Sequence, residues 1–150
     1  MITPKFIYTR PNRRNLQIGS YKTMINSNGK SIVVVDDERD IVNQIKRFLE
    51  AIDGHKVYAF THPFAALEYF HSGCKDHQIV ISDIRMPGMN GYEFVKQVKK
   101  IDPQVKIILM SSFERSDNNI LDLLPEVKID TFLQKLFSLD TLTNIVAIPR

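Results

Sequence analysis

The sequence has a single cysteine, Cys74, which excludes an intrachain disulfide, and nothing near it resembles a metal-binding knuckle. No apolar run approaches the roughly 18 to 20 residues of a membrane-spanning helix, and no signal-peptide stretch follows Met1. Internal repeats and low-complexity segments are also absent. We therefore expect no disulfide framework and no membrane span, and we expect a cytoplasmic protein.

Acidic residues are missing from the start of the chain. Residues 1–30 hold six basic residues and no acid, whereas the remainder holds 14 basic and 17 acidic residues. The net charge of +3 is therefore the sum of +6 on the first segment and −3 on the rest. Residues 1–29 lack periodicity, and we predict a disordered basic extension followed by one domain over 30–150. Such an arm is suited to binding nucleic acid, anionic lipid or an acidic partner, and it also resembles a transit peptide. A solvated tail, or a true start at Met24, is the favoured interpretation.

After residue 30, short apolar runs alternate with segments of helical period. With 150 residues, of which 43% are hydrophobic, the chain is large enough for one domain with its own core. Three of the runs are continuously apolar, as expected of strands covered on both faces. The predicted strands are Ser31–Val35, Lys56–Phe60, Ile79–Ser82, Val105–Met110 and Thr131–Gln134.

Five helices are predicted from apolar stripes at helical spacing. The stripes are Ile41, Ile45, Phe48 and Ile52; Ala66, Leu67 and Phe70 after Pro63; Tyr92, Val95 and Val98; Ile120, Leu121 and Leu124; and Leu139, Leu142, Ile145 and Ile148. Strands alternating with helices predict an α/β fold with a doubly wound, five-stranded parallel sheet. In the strand order 2-1-3-4-5, the ends of the first and third strands lie side by side.

Charged residues end several predicted strands, so we expect them to share one edge of the sheet. Asp36 and Asp37 follow the first strand, Asp83 the third and Lys135 the fifth. Crowded carboxylates raise one another's pKa unless a cation neutralises them, and oxygen ligands that leave room for water suit Mg²⁺. Asp83 is then the candidate nucleophile for phosphoryl transfer, with Lys135 and the hydroxyl of Ser111 as donors to the phosphoryl oxygens.

These residues resemble the receiver domain of two-component response regulators, a flavodoxin-like (CheY-like) fold, over residues 31 to about 148. The matching segments are Ile32 to Glu38, Asp83 to Gly91, Ser111-Ser112 and Lys135. Together they are highly specific, although each alone would be weak. The resemblance implies a phosphoprotein that takes a phosphoryl group from a sensor histidine kinase or a phosphotransfer protein and passes the signal to a downstream protein.

The resemblance also implies a role for each matching position. Asp83 corresponds to the phosphoacceptor, Asp36 and Asp37 to the acidic pair of the Mg²⁺ site, and Arg85 to the residue that offers a backbone carbonyl to the metal. Ser111 corresponds to the hydroxyl residue that moves toward the phosphoryl group, and Lys135 to the lysine that binds it. Phe132 corresponds to the aromatic residue that swings inward on activation.

One position departs from the family pattern. Lys135 is followed by Leu136, where the family usually has proline after a cis bond. A cis bond before any other residue costs roughly 2.5 to 4 kcal/mol, so we predict a trans or strained bond here. We expect this departure to affect the position of Lys135 and the shape of the adjoining output face.

Two alternatives remain open. A scaffold that keeps this fold for phosphorylation-independent contacts is supported only by Leu136. A phosphohydrolase with an Asp-x-Asp motif would need a carboxylate at the position of Arg85.

Only Pro149 and Arg150 follow the last predicted helix, so we expect no DNA-binding domain. We therefore expect a stand-alone regulator that is not a classical enzyme, or a fragment. Its output face would surround the fourth and fifth predicted helices and the fifth strand.

Overall fold

The computed structural model describes residues 29–73, 76–112 and 127–149. Its strands are β1 Ser31–Val35, β2 Lys56–Phe60, β3 Ile79–Asp83, β4 Lys106–Ser111 and β5 Thr131–Gln134. Its helices are α1 Arg39–Asp53, α2 Pro63–His71, α3 Gly91–Ile101 and α4 Leu139–Ala147. The predicted basic extension up to residue 28, the helix around Ile120 to Leu124, and Cys74 lie outside the described residues.

The five strands form one parallel sheet in the order β2-β1-β3-β4-β5, which confirms the predicted topology. The chain runs from β1 outward to β2 and then crosses to the other side of β1 to form β3. The crevice beyond the carboxyl ends of β1 and β3 therefore lies at the point where the strand order reverses, which is where open α/β sheets bind ligands.

The apolar strands alternate between two cores, because successive side chains point to opposite faces of a sheet. On one face, Val33, Val80 and Ile107 pack with α2 and α3; on the other, Val34 and Ile81 pack with α1 and α4. Both faces are thus covered by helices, which explains the continuous apolar runs in the sequence.

Several predicted element boundaries need correction. β3 extends through Asp83 because that residue pairs with Met110 of β4, and β4 extends through Ser111 because that residue pairs with Gln134. Val105 precedes β4, since its N–H bonds to the carbonyl of Asp102 in a turn. Asp83 and Ser111 are therefore held by the sheet itself.

One predicted helix position is also wrong. Ile148, assigned to the last helix, lies just after it and is exposed, because the following Pro149 disfavours helical geometry at the residue before it. Ile52 in α1 is exposed, and the buried positions of this helix are Val42, Ile45 and Leu49. None of the helices in the described ranges is long and apolar enough to cross a membrane.

Candidate functional site

The two central strands carry the site's buried carboxylates. Val35 of β1 is level with Ser82 of β3, so Asp36 and Asp83 occupy neighbouring positions as the strands end. The N–H of Asp36 donates to the carbonyl of Phe60, which holds the residue against β2. Asp36 is fully buried and Asp83 is 4% exposed, so both side chains are taken out of water.

The start of α3 packs directly against the backbone of Asp83. The N–H of Gly91 donates to the carbonyl of Ile84 at 2.8 Å. A Cβ on Gly91 would lie 2.2 Å from the carbonyl oxygen of Asp83, so only glycine allows this approach. Asn90 and Glu93 form a reciprocal capping box that fixes this end of α3. The helix start therefore holds the segment that carries Asp83.

Asp36, Asp37 and Asp83 form one cluster in which each offers a ligand oxygen within 4.8 Å of the others. Asp37 is exposed, whereas its two partners are buried, so the cluster opens to solvent on the side of Asp37. Carboxylate oxygens are hard donors, and three of them leave positions for water, which fits Mg²⁺ better than a softer metal. The residues present therefore fit the predicted metal.

Lys135 supplies a positive charge to this cluster. Its N–H donates to the carbonyl of Ser111 at 2.6 Å, which fixes its backbone beside the end of β4. Its ammonium nitrogen lies 3.0 Å from Oδ2 of Asp36, 3.2 Å from Oε1 of Glu38 and 3.3 Å from Oδ1 of Asp83. The ammonium has three N–H donors, and three carboxylates surround it.

Burial and like charge perturb the ionisation of this cluster. Burial first, and then the charge of Asp36, raise the pKa of Asp83 to about 6, although Lys135 opposes both effects. Burial also raises the pKa of Asp36, against the N–H of Glu38 and the ammonium. Burial disfavours the charge on Lys135, but its bonds to Asp36 and the two aspartate charges outweigh burial and raise its pKa. Ionised Asp83 is thus disfavoured when no cation is added.

Three further residues, Ser111, Phe132 and Arg85, were predicted to belong to this site. Ser111 ends β4, is partly exposed, and contacts Lys135 through its carbonyl. Phe132 lies on β5, level with Leu109, and is 36% exposed. Arg85 follows Asp83 by two residues, and its side chain is exposed. The structure therefore brings together Asp36, Asp37, Asp83 and Lys135, while roles for Ser111, Phe132 and Arg85 stay predictions.

The described residues contain no cis peptide bond, so the bond between Lys135 and Leu136 is trans. The sequence prediction for this bond is confirmed. Leu136 has a φ of 76°, and it is the only non-glycine residue in the described ranges with a positive φ. A side chain in this left-handed region costs roughly 1 to 2 kcal/mol. The backbone is thus strained directly after Lys135, although the ammonium still reaches the carboxylates.

Glu38 also contacts this cluster, although no role was assigned to it from the sequence. Its N–H donates to Oδ1 of Asp36 at 2.9 Å, and its carboxylate binds Lys135, 97 residues away in the chain. Its place directly after the acidic pair, in the segment Asp36-Asp37-Glu38, is the one sequence signal that could have indicated it.

Comparison with known proteins assigns this arrangement to a family. Residues 32–147 match the family described as the response regulator receiver domain. The chain is 30% identical over 107 residues to Response regulator SaeR of Staphylococcus aureus, covering 71% of this chain and 44% of that protein. It is 35% identical over 81 residues to the phosphoglycerate transport system transcriptional regulatory protein PgtA of Salmonella typhimurium, covering 54% of this chain and 19% of that protein. The chain thus spans less than half the length of either relative.

Solved structures agree with the sequence matches. A response regulator receiver domain protein from Clostridium thermocellum has a TM-score of 0.68 and 30% identity, over 78% of this chain and 90% of that one. The response regulator protein TrrA from Thermotoga maritima, in complex with Mg²⁺ and BeF, has a TM-score of 0.64 and 33% identity, over 78% and 96% of the two chains. The described fold is therefore similar to these proteins along most of their length.

Proposed function

This chain belongs to the response regulator receiver domain family, and we propose that it accepts a phosphoryl group on Asp83 in a Mg²⁺-dependent reaction and signals by a change of conformation. The proposed donor is a sensor histidine kinase or a phosphotransfer protein, and the exchange is proposed to occur in the cytoplasm. The family is regulatory, so the transfer to Asp83 and its reversal are the only chemistry proposed.

The observation that carries this proposal is the position of the Asp83 carboxylate. It ends a central strand, lies within 4.8 Å of Asp36 and Asp37, and lies 3.3 Å from the Lys135 ammonium. A carboxylate that accepts a phosphoryl group needs nearby positive charge, because the transferred group is anionic. Lys135 supplies one positive charge, and the three-aspartate cluster suits a divalent cation.

In the proposed transfer, a carboxylate oxygen of Asp83 attacks phosphorus, a new O–P bond forms, and the bond from phosphorus to the donor nitrogen or oxygen breaks. The electron pair of that bond leaves with the donor, and the product is an acyl phosphate. The carboxylates of Asp36, Asp37 and Asp83, with the carbonyl of Arg85, would hold Mg²⁺, which offsets charge on the phosphoryl oxygens when bound. TrrA, which was solved with Mg²⁺ and BeF, supports this assignment by its similarity.

We propose that Ser111 and Phe132 convert this transfer into a signal. A phosphoryl group brings a charge of about −2 and strong hydrogen-bond acceptors. The hydroxyl of Ser111 is proposed to move toward it, and Phe132, now 36% exposed, is proposed to move inward. Phosphorylation then biases two pre-existing conformations, which a downstream protein distinguishes.

The test is incubation of the full chain with acetyl phosphate and Mg²⁺, followed by intact-mass measurement. One phosphoryl group adds about 80 Da. We expect the gain in wild type, its loss in Asp83→Asn, and its loss when EDTA removes the metal. Asp76→Asn is the matched control, because it removes an exposed carboxylate at the opposite end of β3. It should be labelled like wild type.

An equal gain in mass for wild type and Asp83→Asn would overturn the proposal. A partner that bound equally well with and without the phosphodonor would then favour the scaffold alternative. Turnover of a phosphomonoester would favour a phosphohydrolase, although Arg85 occupies the position where that motif needs its second carboxylate.

A further inference from the structure

We propose, on the basis of the phosphoacceptor function above, that Glu38 is a positioning residue that competes with the phosphoryl group for Lys135 and so restrains phosphorylation of Asp83. Its carboxylate is 3.2 Å from the ammonium, nearly as close as that of Asp36 at 3.0 Å. The side chain of Glu38 thus belongs to the same charge network as the two buried aspartates.

The carboxylate of Glu38 is directed to Lys135 rather than to its own helix. Glu38 is the residue that precedes the first turn of α1, where a side-chain oxygen commonly accepts from the free N–H groups. It makes no such capping bond. It also lies outside the cluster of Asp36, Asp37 and Asp83 that offers ligands to a metal. Contact with Lys135 is therefore the interaction of this carboxylate that the structure describes.

The number of hydrogen-bond donors makes these contacts competitive. An ammonium has three N–H donors, and three carboxylates already lie around that of Lys135. A phosphoryl group presents three oxygens near the position where Asp83 presented one. Lys135 can give such a group more than one donor only by releasing another carboxylate.

Burial decides which carboxylate is released. The side chain of Asp36 is fully buried, and the ammonium of Lys135 is the cation paired with its Oδ2, so loss of Lys135 would leave a buried charge unpaired. The side chain of Glu38 is 61% exposed and returns to water on release. Glu38 is therefore the partner that Lys135 gives up.

The test compares Glu38→Gln, Glu38→Asp and wild type by the rate of labelling with acetyl phosphate at saturating Mg²⁺ and by the affinity for beryllofluoride. An exposed ion pair contributes up to about 1 kcal/mol, which corresponds to roughly two- to fivefold. We expect faster labelling and tighter beryllofluoride binding by that factor in Glu38→Gln. Glu38→Asp keeps the charge but is one methylene shorter, so it should behave like Glu38→Gln if contact with Lys135 matters.

Asp40→Asn is the matched control, because it removes one exposed carboxylate from the first turn of the same helix. It should match wild type in both measurements. Unchanged or slower labelling of Glu38→Gln would overturn the inference, as would a Glu38→Asp variant that matched wild type. Wild type that is not labelled at Asp83 would overturn the proposed function itself, so the two failures are distinguishable.

Discussion

The two ends of this parallel sheet bury ionisable side chains in different ways. At the carboxyl end, Asp36 and Asp83 share the ammonium of Lys135. At the amino end, the buried ammonium of Lys106 donates to the carbonyls of Ile145 and Ile148, near the end of α4. One end thus balances charge with opposite charge, whereas the other uses the negative end of a helix dipole.

A second buried group at the amino end is also balanced by uncharged partners. His77 is 5% exposed, and its Nδ1 lies 2.8 Å from the hydroxyl of Ser31. Its ring packs against Tyr58, Tyr69 and Phe70. Burial lowers the pKa of His77, which favours the neutral ring.

The carboxyl end is the one that suits the proposed phosphorylation site. Backbone carbonyls and aromatic rings are fixed parts of the fold, and the contacts described for Lys106 and His77 at the amino end are with such uncharged groups and the hydroxyl of Ser31. The carboxyl end holds an excess of carboxylates over ammonium groups, and burial raises the pKa of both Asp36 and Asp83. A bound cation or a new charge therefore changes the energy of the carboxyl end much more.

The largest expected effect comes from removing the lysine at each end. In EDTA at pH 8, Lys135→Met should lower the free energy of unfolding by about 3 kcal/mol, because it leaves buried carboxylates unpaired. Lys106→Met should cost only about 1 kcal/mol, because its partners are neutral carbonyls. Urea denaturation measures both values, and Mg²⁺ should restore part of the loss only in Lys135→Met. A larger loss in Lys106→Met would contradict the comparison.

A slightly smaller effect is expected where α3 meets Asp83. Gly91→Ala should lower the free energy of unfolding by about 2 kcal/mol, since its Cβ must displace backbone and such overpacking costs about 1 to 3 kcal/mol. It should also slow labelling of Asp83. Gly54→Ala is the control, because Gly54 has a φ of 62° but open space around it. That variant should lose about 1 kcal/mol without slower labelling.

The pH dependence of stability should reveal the buried carboxylate of Asp83. Its pKa of about 6 lies above the usual 3.8, so in the metal-free protein the folded state holds a proton that the unfolded state has released between those values. Stability should therefore fall as the pH rises from about 4 to 6. In EDTA at pH 8, Asp83→Asn should be more stable than wild type by on the order of 2 kcal/mol. A constant difference across this pH range would contradict the assignment.

The smallest expected effect has the opposite sign and comes from His77. Because its pKa is lowered in the folded protein, the unfolded state binds the proton first as the pH falls below 6.5. Stability from this group should be full above 6.5 and decline on acidification. His77→Phe keeps a ring at this position and should show a shallower decline than wild type in urea titrations between pH 7 and 5. Parallel curves would mean that His77 does not contribute.

Much of the site was predictable because its residues stand at strand ends. Three of the five strands were predicted with the observed boundaries, and the strand order followed from the alternation of strands and helices. Errors lie where pairing or a neighbouring residue sets an element's limit, as at Asp83 and Ile148. The scaffold alternative depended on Leu136, and its φ of 76° was not readable from the sequence.

The sequence by itself determined the order of the described strands and helices and the edge of the sheet where Asp36, Asp37, Asp83 and Lys135 gather, because apolar period and strand ends are local properties. Only the folded chain brings Glu38 to Lys135 across 97 residues, raises the pKa of Asp83, and requires glycine at position 91. Those features depend on distances and burial between segments remote in sequence, and such distances exist only after the sheet and helices have packed.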